Sequence, residues 1–543
     1  APLMCAMDLC FSLPEIIEGG VSETRPGELK RWLTNLPVLN TAETSQMLFK
    51  ALAALNRTEV DASHRGKLLD LYRQPIRAVC TESQKLYMGL PLPLPEKNKL
   101  VVARVRQFQS EMADGYKRIV LHATRKPRLS TGDKQDLAFA IQRSIHYLTQ
   151  VLAKSFELYA PSPEGTWHEI HQLYRYAEIE GLTETPVADE LNGALPKSSV
   201  SHVYKQALLL DFCDPYHLPA RMLEKIRRYL DRWASEAKLG MALAALRPDC
   251  QFLINLATDR AGVANIENQP ITTEAQYRLL TTVDLTKVMH RQLAALQVGA
   301  SPDPEGLEKD FFVNQGQEML MRLITSWGVN PKRYFNRSTT HGAQLQVATG
   351  IDAINFFVHG AIEFACSTSE VGPQPRRTRI SGTQETAQHS GVKWQSVQWD
   401  LLDESAGGFS LHKSDAQREQ VRVGDLIATR APQQQAHWSI SVVRWVRSAG
   451  PGDIEFGAQR LAPSAEAIAI LPADTGNGEF KMALLLPEVK ALRQASTLIT
   501  PRGMFAPGRQ LILDNGYRTY PIRATKLMNV TGSFEQFQFA RDV

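Results

Sequence analysis

The sequence predicts a multidomain α + β protein: a helical N-terminal array followed by two small antiparallel β-barrels. Three observations carry this. Apolar residues recur at helical spacing up to about residue 328. Beyond it they alternate with polar residues in short runs. Those runs are bounded by Gly, Pro, Asn and Asp, the residues of tight turns. The chain of 543 residues has room for several domains of roughly 100–200 residues each. A hydrophobic fraction of 43% is enough to fill their cores.

Pro26 opens the first helix, over 28–33, in the manner of a first-turn proline. Helical spacing continues over 41–55 and 64–88, then over two long amphipathic stretches, 100–124 and 131–158. Thr166-Trp167-His168-Glu169 reads as a capping box, with Thr166 as N-cap and Glu169 three residues on. The helix it opens places Trp167, Ile170, Tyr174 and Ala177 on one stripe, and Gly181 ends it. Further helices are read at 200–212, 219–239 and 308–327. Trp167-x-x-Ile170 with Tyr174 resembles part of a tetratricopeptide repeat, but no period of about 34 residues runs through the segment. Residues 1–328 are thus expected to form an α-helical domain, repeat-like or not, that acts as a platform for a protein partner.

The period then changes. Alternation over 343–347, 397–402, 409–411, 423–428, 438–447 and 454–456 predicts strands of a first barrel within 329–470. Between its first two strands lies an insertion, 351–392. It combines an apolar helix at 351–364 with a polar loop carrying Pro373, Pro375, Arg376, Arg377 and Arg379. Strand-like runs at 481–486, 497–500, 510–513, 520–526 and 535–540, with turns between them, predict a second small barrel within 471–543.

Charge and cysteines narrow the function classes. A net charge of +4 on this length gives no global pull toward nucleic acid or membranes. Cys5, Cys10, Cys80, Cys213, Cys250 and Cys366 are scattered and include no C-x-x-C pair, the pattern of reduced thiols in a cytoplasmic protein. No apolar run approaches the ~18 residues of a membrane helix. The first sixteen residues lack a basic start and an uninterrupted apolar core, so no signal peptide is expected there. A P-loop, a G-x-S-x-G elbow, a dinucleotide fingerprint and a zinc motif are all missing, and no enzyme is expected. His168 and His171 stand three apart on a helix without a third ligand, which reads as surface or groove histidines and no metal site. Arg221, Lys225, Arg227, Arg228 and Arg232 read as a solvated helix face, with docking of an acidic partner as the competing reading.

The segment Asp403-Glu404-Ser405-Ala406-Gly407-Gly408 joins two strand-like runs. Asp403 and Ser405 are two apart, so in an extended chain they share a face. Gly408 lets the backbone turn sharply or approach a ligand. A plain hairpin turn also produces Asp-x-Ser-x-x-Gly. Upstream, Arg333-Tyr334-Phe335-Asn336-Arg337 supplies an Arg-x-x-x-Arg pattern directly before the 343–347 strand. Downstream, Gly424-Asp425, the run 442–447 and Glu455-Phe456-Gly457 follow in order.

Together these resemble the PilZ domain, a β-barrel that binds the bacterial second messenger cyclic di-GMP, over about residues 330–470. The resemblance implies a receptor in which Arg333, Arg337, Asp403, Ser405 and Gly408 contact the ligand. The chemistry fits: arginine pairs with phosphate, docks on guanine O6 and N7, or stacks on the purine. A carboxylate accepts from guanine N–H groups. One departure is the spacing, since 66 residues separate Arg337 from Asp403 where the family has a few tens or fewer. The insertion at 351–392 accounts for the excess, at small cost in closure entropy. Arg376, Arg377 and Arg379 lie closer, with Arg379 only 24 residues before Asp403, but they do not match the pattern. They are carried as a second clamp. Trp438 and Trp445, seven apart in a strand, face opposite sides, one toward the core and one toward the ligand groove.

The resemblance implies a cytoplasmic effector without a cofactor, whose arginines close over the dinucleotide and alter a protein-binding surface. Motility, surface attachment or pilus behaviour would be the output. The competing readings are a PilZ-like scaffold acting through protein contacts alone, and a single-stranded nucleic-acid binder using the barrel and the basic loop.

Overall fold

Helical and alternating periods give two kinds of local order, and the computed structural model of the chain places each in its own unit. It describes residues 9–17, 22–37, 40–192, 195–242, 249–264, 276–303, 311–313, 315–328, 338–339, 342–367, 394–416, 419–432, 437–450, 452–474, 478–488 and 495–541. One unit comprises residues 1–90 and 94–332, the other residues 91–93 and 333–543.

The first unit holds α1 (Pro26–Thr34), α2 (Thr41–Asn56), α3 (Ala62–Gln84), α4 (Glu96–Thr124), α5 (Thr131–Glu157), α6 (Thr166–Ile179), α7 (Val200–Phe212), α8 (Ala220–Trp233), α9 (Val283–Gln297) and α10 (Gly316–Gly328). At its centre, α5 packs against α4, α6, α7 and α8, and almost every residue from Leu137 to Glu157 is buried. Ser130 and Asp133 form the capping box that starts it. The expected box at Thr166 is not made. The N-cap of α6 is Gly165, and its free N–H groups go to a residue far away in sequence: Asp259 accepts from Gly165 at 2.6 Å and His168 at 3.0 Å. Glu169 instead accepts from Ser12 and Lys117. The far end behaves as read. Gly181 takes φ +69°, and Leu182 donates to Ala177 across a Schellman turn.

The helical reading ran too far in three places of this unit, the first being the stretch expected over 64–88, which ends at Gln84. The helix expected over 219–239 stops at Trp233, and Leu239 lies in a strand. Of the helix expected over 308–327, residues 308–310 and 314 lie outside the described residues and α10 begins at Gly316. Short strands also interrupt this unit. They are β1 (Val187–Ala188) and β2 (Lys197–Ser198), then β3 (Lys238–Met241), β4 (Gln251–Asn255) and β5 (Tyr277–Thr281) in the order β3-β5-β4.

The second unit contains two closed antiparallel barrels. The first is built from β6 (Ser338–Thr339), β7 (Gln344–Thr349), β8 (Val397–Ser405), β9 (Gly408–Lys413), β10 (Leu426–Arg430), β11 (Ser439–Gly450) and β12 (Asp453–Ala462). Strand order is β6-β8-β7-β10-β11-β12-β9, and the β8–β9 pairing closes the ring. Trp399, Leu401, Phe409, Leu411, Val446 and Phe456 are buried, and Trp399 meets Phe456 edge-on at 4.9 Å. The second barrel is β13 (Glu466–Pro472), β14 (Lys481–Leu486), β15 (Thr497–Thr500), β16 (Gln510–Asp514), β17 (Thr519–Val530) and β18 (Glu535–Arg541), closed in the order β13-β14-β15-β18-β17-β16. Closure leaves neither barrel with a long free edge.

Helix α11 (Ile351–Val358) follows β7 and joins the barrels. It is shorter than expected because Gly360 and Ala361 take positive φ and end it. Ile354 enters a shared core with Leu426, Trp438 and Ile440 of the first barrel and Leu484, Leu486 and Phe534 of the second. Buried Asn355 donates to the carbonyls of Ile468 at 2.9 Å and Ala483 at 2.8 Å. Replacing it with Ala removes both bonds and leaves a void. Asn355→Ala should lower stability by about 1–3 kcal/mol in a denaturant titration.

Asp425 offers a pH test of the turn into β10. Its carboxylate accepts from the Arg422 N–H at 2.8 Å, but burial dominates and pushes the carboxyl up to about 6. The folded state therefore holds this proton more tightly than the unfolded chain. Its stabilising contribution is full below about pH 4 and is lost as pH rises through about 6, at most ~3 kcal/mol in all. Thermal melts of wild type and Asp425→Asn should diverge over that window, with the variant gaining relative stability as pH rises.

Candidate ligand-binding face

The face is built by β8 and its neighbours. Trp399 and Leu401 point into the barrel. A register shift then falls between Leu401 and Asp403. Past it, Asp403 pairs with Ser410 and Ser405 with Gly408. Directly opposed residues of antiparallel strands share a face. Phe409 and Leu411 are the inward side chains of β9, so Gly408 and Ser410 lie on the outer face, with Asp403 and Ser405 beside them. Ala406-Gly407 is the two-residue turn between the strands, and Ser405 Oγ donates to the Gly408 carbonyl at 3.1 Å. The signature is therefore a hairpin that also presents two polar side chains.

The pairing continues across the barrel wall. Ser410 pairs with Gly457 of β12, and Gly457 with Trp445 of β11. Asp403, Ser410, Gly457 and Trp445 thus form one row over four strands. Small residues in the middle let the indole pack over the row, so that Ser410 and Gly457 are buried and only its two ends are partly exposed. Trp445 lies against the Gly457 backbone, where a Cβ would collide with the ring. The Arg447 guanidinium stands 5.3 Å from that indole, and Arg444 Nε donates to Gln459 Oε1 at 2.8 Å. The hairpin tip is pinned from the other side. Arg460 pairs with Glu404, lies 5.2 Å over Phe409, and its backbone N–H donates to the Gly407 carbonyl.

Gly408 has a different task from the one read in the sequence. A Cβ there would collide with the Ala458 carbonyl oxygen of β12. Strand approach alone requires glycine, without a sharp turn or a ligand. The two tryptophans differ in burial. Trp438 is buried, 5.2 Å from Phe357 and under the Arg430 guanidinium at 4.5 Å, while Trp445 is half-buried on the outer face. Ser410 and Gly457 were not read as part of a site. Their signal is small residues at cross-strand positions, and it needs the register to be seen.

Arg333 and Arg337 lie outside the described residues, as do Arg376, Arg377 and Arg379. The described chain resumes at Ser338, which pairs with Glu404, and Thr339 pairs with Asp403. The remaining candidates separate. His171 is buried and not a surface or groove histidine, with Nδ1 2.7 Å from the Tyr204 hydroxyl and Nε2 2.7 Å from the Arg260 carbonyl. Burial pushes it down to about 4. No group of three or more His, Cys, Asp or Glu that could hold a metal occurs among the described residues. Nor is any helix among them long and apolar enough to cross a membrane.

The model of the middle PilZ domain of the cyclic-di-GMP receptor FimW matches residues 251–375 and 367–467. The middle of the chain is a PilZ domain. The N-terminal domain model of the same receptor matches residues 27–245, and its C-terminal beta-barrel model matches 467–541. The cyclic-di-GMP receptor FimW of Pseudomonas aeruginosa is 26% identical to this chain, covering 95% of it and 90% of that protein. The PilZ barrel, its helical N-terminal region and its C-terminal barrel therefore recur together in a related protein.

The packing of Gly408 makes a direct prediction. Gly408→Ala forces β9 away from β12 and should cost about 1–3 kcal/mol in stability, although it removes no ligand-binding group. Chemical denaturation without ligand is the measurement, and an unchanged midpoint would refute the packing argument.

Proposed function

We propose that this protein is a cyclic di-GMP effector and not an enzyme. The row Asp403–Ser410–Gly457–Trp445 on the outer barrel face, with Ser405 beside it, supports this reading most strongly. Asp403 accepts hydrogen bonds from a guanine edge, and Ser405 adds a short adjustable partner. Arg333 and Arg337 supply the cations for phosphate and guanine O6/N7. Arg337 immediately precedes Ser338 in the sequence, and Ser338 pairs with Glu404. Gly408 shapes the hairpin under them, and Arg376, Arg377 and Arg379 serve as a second clamp. The name of the Pseudomonas relative supports the same ligand.

In this proposal residues 329–470 sense the nucleotide through a barrel carrying the insertion 351–392, and 471–543 form the second barrel. Residues 1–328 engage a protein partner. Closing the arginines over the dinucleotide orders that segment and changes the surface offered to the partner. The setting is the cytoplasm, and the output is motility, surface attachment or pilus function.

Calorimetric titration tests the ligand and its register together. Wild type should bind cyclic di-GMP saturably. Arg333→Ala/Arg337→Ala and Asp403→Ala should each weaken binding by about tenfold to a hundredfold, the range for lost charge-assisted hydrogen bonds. Binding that survives the arginine changes would move the clamp to Arg376, Arg377 and Arg379. No binding by wild type would leave a PilZ-like scaffold acting through protein contacts.

A further inference from the structure

The helical unit carries a groove of about 880 Å³ that cyclic di-GMP recognition does not use. Helices α1, α2, α3 and α5 and the segment starting at β1 wall it. Along α3, Leu71, Pro75, Ala78 and Glu82 line it at intervals of four, three and four, which is a single helical stripe. At 1.5 Å per residue the stripe is about 16 Å long, or three turns. Leu33, Leu71, Pro75 and Phe139 are only half-buried there, and Ala78 is exposed, so much of the apolar lining stays open.

The polar groups show what kind of occupant fits. Two cations on the wall are already spent. Arg73 Nη2 grips buried Asp189 at 2.7 and 2.9 Å, and buried Arg143 donates to the same carboxylate at 2.8 Å. The Nε atoms of both are enclosed and offer the groove no donor. The unspent groups are acceptors. Pro75 has no N–H, so the Leu71 carbonyl lacks its helical partner within α3. Exposed Asp70, Glu82, Asp136 and Glu190 line the groove against one exposed cation, Lys30. Asp70 accepts from the Tyr116 hydroxyl at 3.1 Å, and Glu82 pairs with Lys85 at 2.7 Å. The Asp136 and Glu190 carboxylates have no hydrogen bond or ion pair among the described residues.

We propose that this groove receives a basic amphipathic helix of a protein partner. The proposal rests on the reading that residues 1–328 engage such a partner, and it names the surface. The apolar face of the incoming helix fills the lining over about three turns, the helix-in-groove mode of recognition. Its lysines or arginines meet Asp136, Glu190 and the Leu71 carbonyl, and the acidic rim selects against acidic helices. Helix α8 of a second copy does not fit the role. It is basic and amphipathic, but its apolar stripe is buried in its own core. Its basic face is also only partly solvated, because Arg227 pairs with Glu224 and Arg232 with Asp303.

The test uses the full chain and a fluorescently labelled synthetic helix of leucine and lysine at amphipathic spacing, read by anisotropy at fixed ionic strength. Saturable binding is expected, weakened at least tenfold in Asp136→Lys/Glu190→Lys with an unchanged thermal melt. Ala78→Trp, which fills the groove from an exposed position, should weaken it as much and carries the comparison should the charge variant melt early. Cyclic di-GMP binding should not differ between wild type and these variants. Three results would overturn the proposal: no saturable binding, equal binding by wild type and variants, or equal affinity for a leucine–glutamate helix. A photo-crosslinking version of the peptide separates two kinds of failure. Crosslinks on residues 1–328 away from the groove overturn this site alone, whereas none on that unit counts against its role as a partner platform as well.

Discussion

Strand β8 is the member on which the first barrel depends. It is hydrogen-bonded along both edges, by β9 on one side and by β7 and then β6 on the other. A strand held twice cannot slip without turning Trp399 and Leu401 out of the core. That rigidity also creates a problem. Residues 399, 401, 403 and 405 are two apart, and simple alternation would carry Asp403 and Ser405 inward behind the buried Trp399 and Leu401. The bulge between Leu401 and Asp403 resolves it. One extra residue re-aims the strand, so its first half packs the core and its second half lines the outer face. Burial and presentation of the site are consequences of the same irregularity.

The bulge also marks the boundary of what the sequence makes legible. Alternation located most strands of both barrels, because half-buried sheets impose a period of two over several consecutive residues. It missed the two-residue β6, and also β13 (Glu466–Pro472), which belongs to the second barrel although the sequence reading ended the first at 470. Asp403 and Ser405 do share a face, as their spacing implies. That this face is the outer one, opposite Leu401, follows only from the register. Gly408 was recognisable as a special position, but the atom that makes it special, the Ala458 carbonyl, is about fifty residues away in sequence. Ser410 and Gly457 are unremarkable until pairing sets them between Asp403 and Trp445.

The helical unit was legible to a different degree. Long helices such as α4 and α5 have enough turns to display their period. β3, β4 and β5 are too short for alternation to outweigh neighbouring helical patterns, and they were absorbed or missed. The cap of α6 shows the same limit. Thr166 and Glu169 have the right residues at the right spacing, yet Asp259 fills the capping role and Glu169 binds Lys117. Long-range partners displaced a local motif because both satisfy the same orphan N–H groups. Helix α8 makes the point for charge. Its apolar stripe, Met222, Leu223, Ile226, Tyr229 and Leu230, is buried as periodicity requires. The ion pairs that draw Arg227 and Arg232 inward come from that helix and from Asp303, and spacing alone does not reveal them.

The signature combines two kinds of residue, and the distinction governs how the family is interpreted. Gly408 answers to the β12 backbone, while Ser405 Oγ spans the turn of its own hairpin. Both positions have a folding reason to persist even where no nucleotide is bound. Asp403 differs, since a carboxylate on the outer face is not needed for the barrel core. A PilZ barrel could lose its ligand and still retain the serine and glycine. On the proposed reading the informative positions are therefore Asp403, Arg333 and Arg337. A relative retaining Ser-x-x-Gly without them has the hairpin but not the chemistry, and the motif alone cannot separate a receptor from a scaffold.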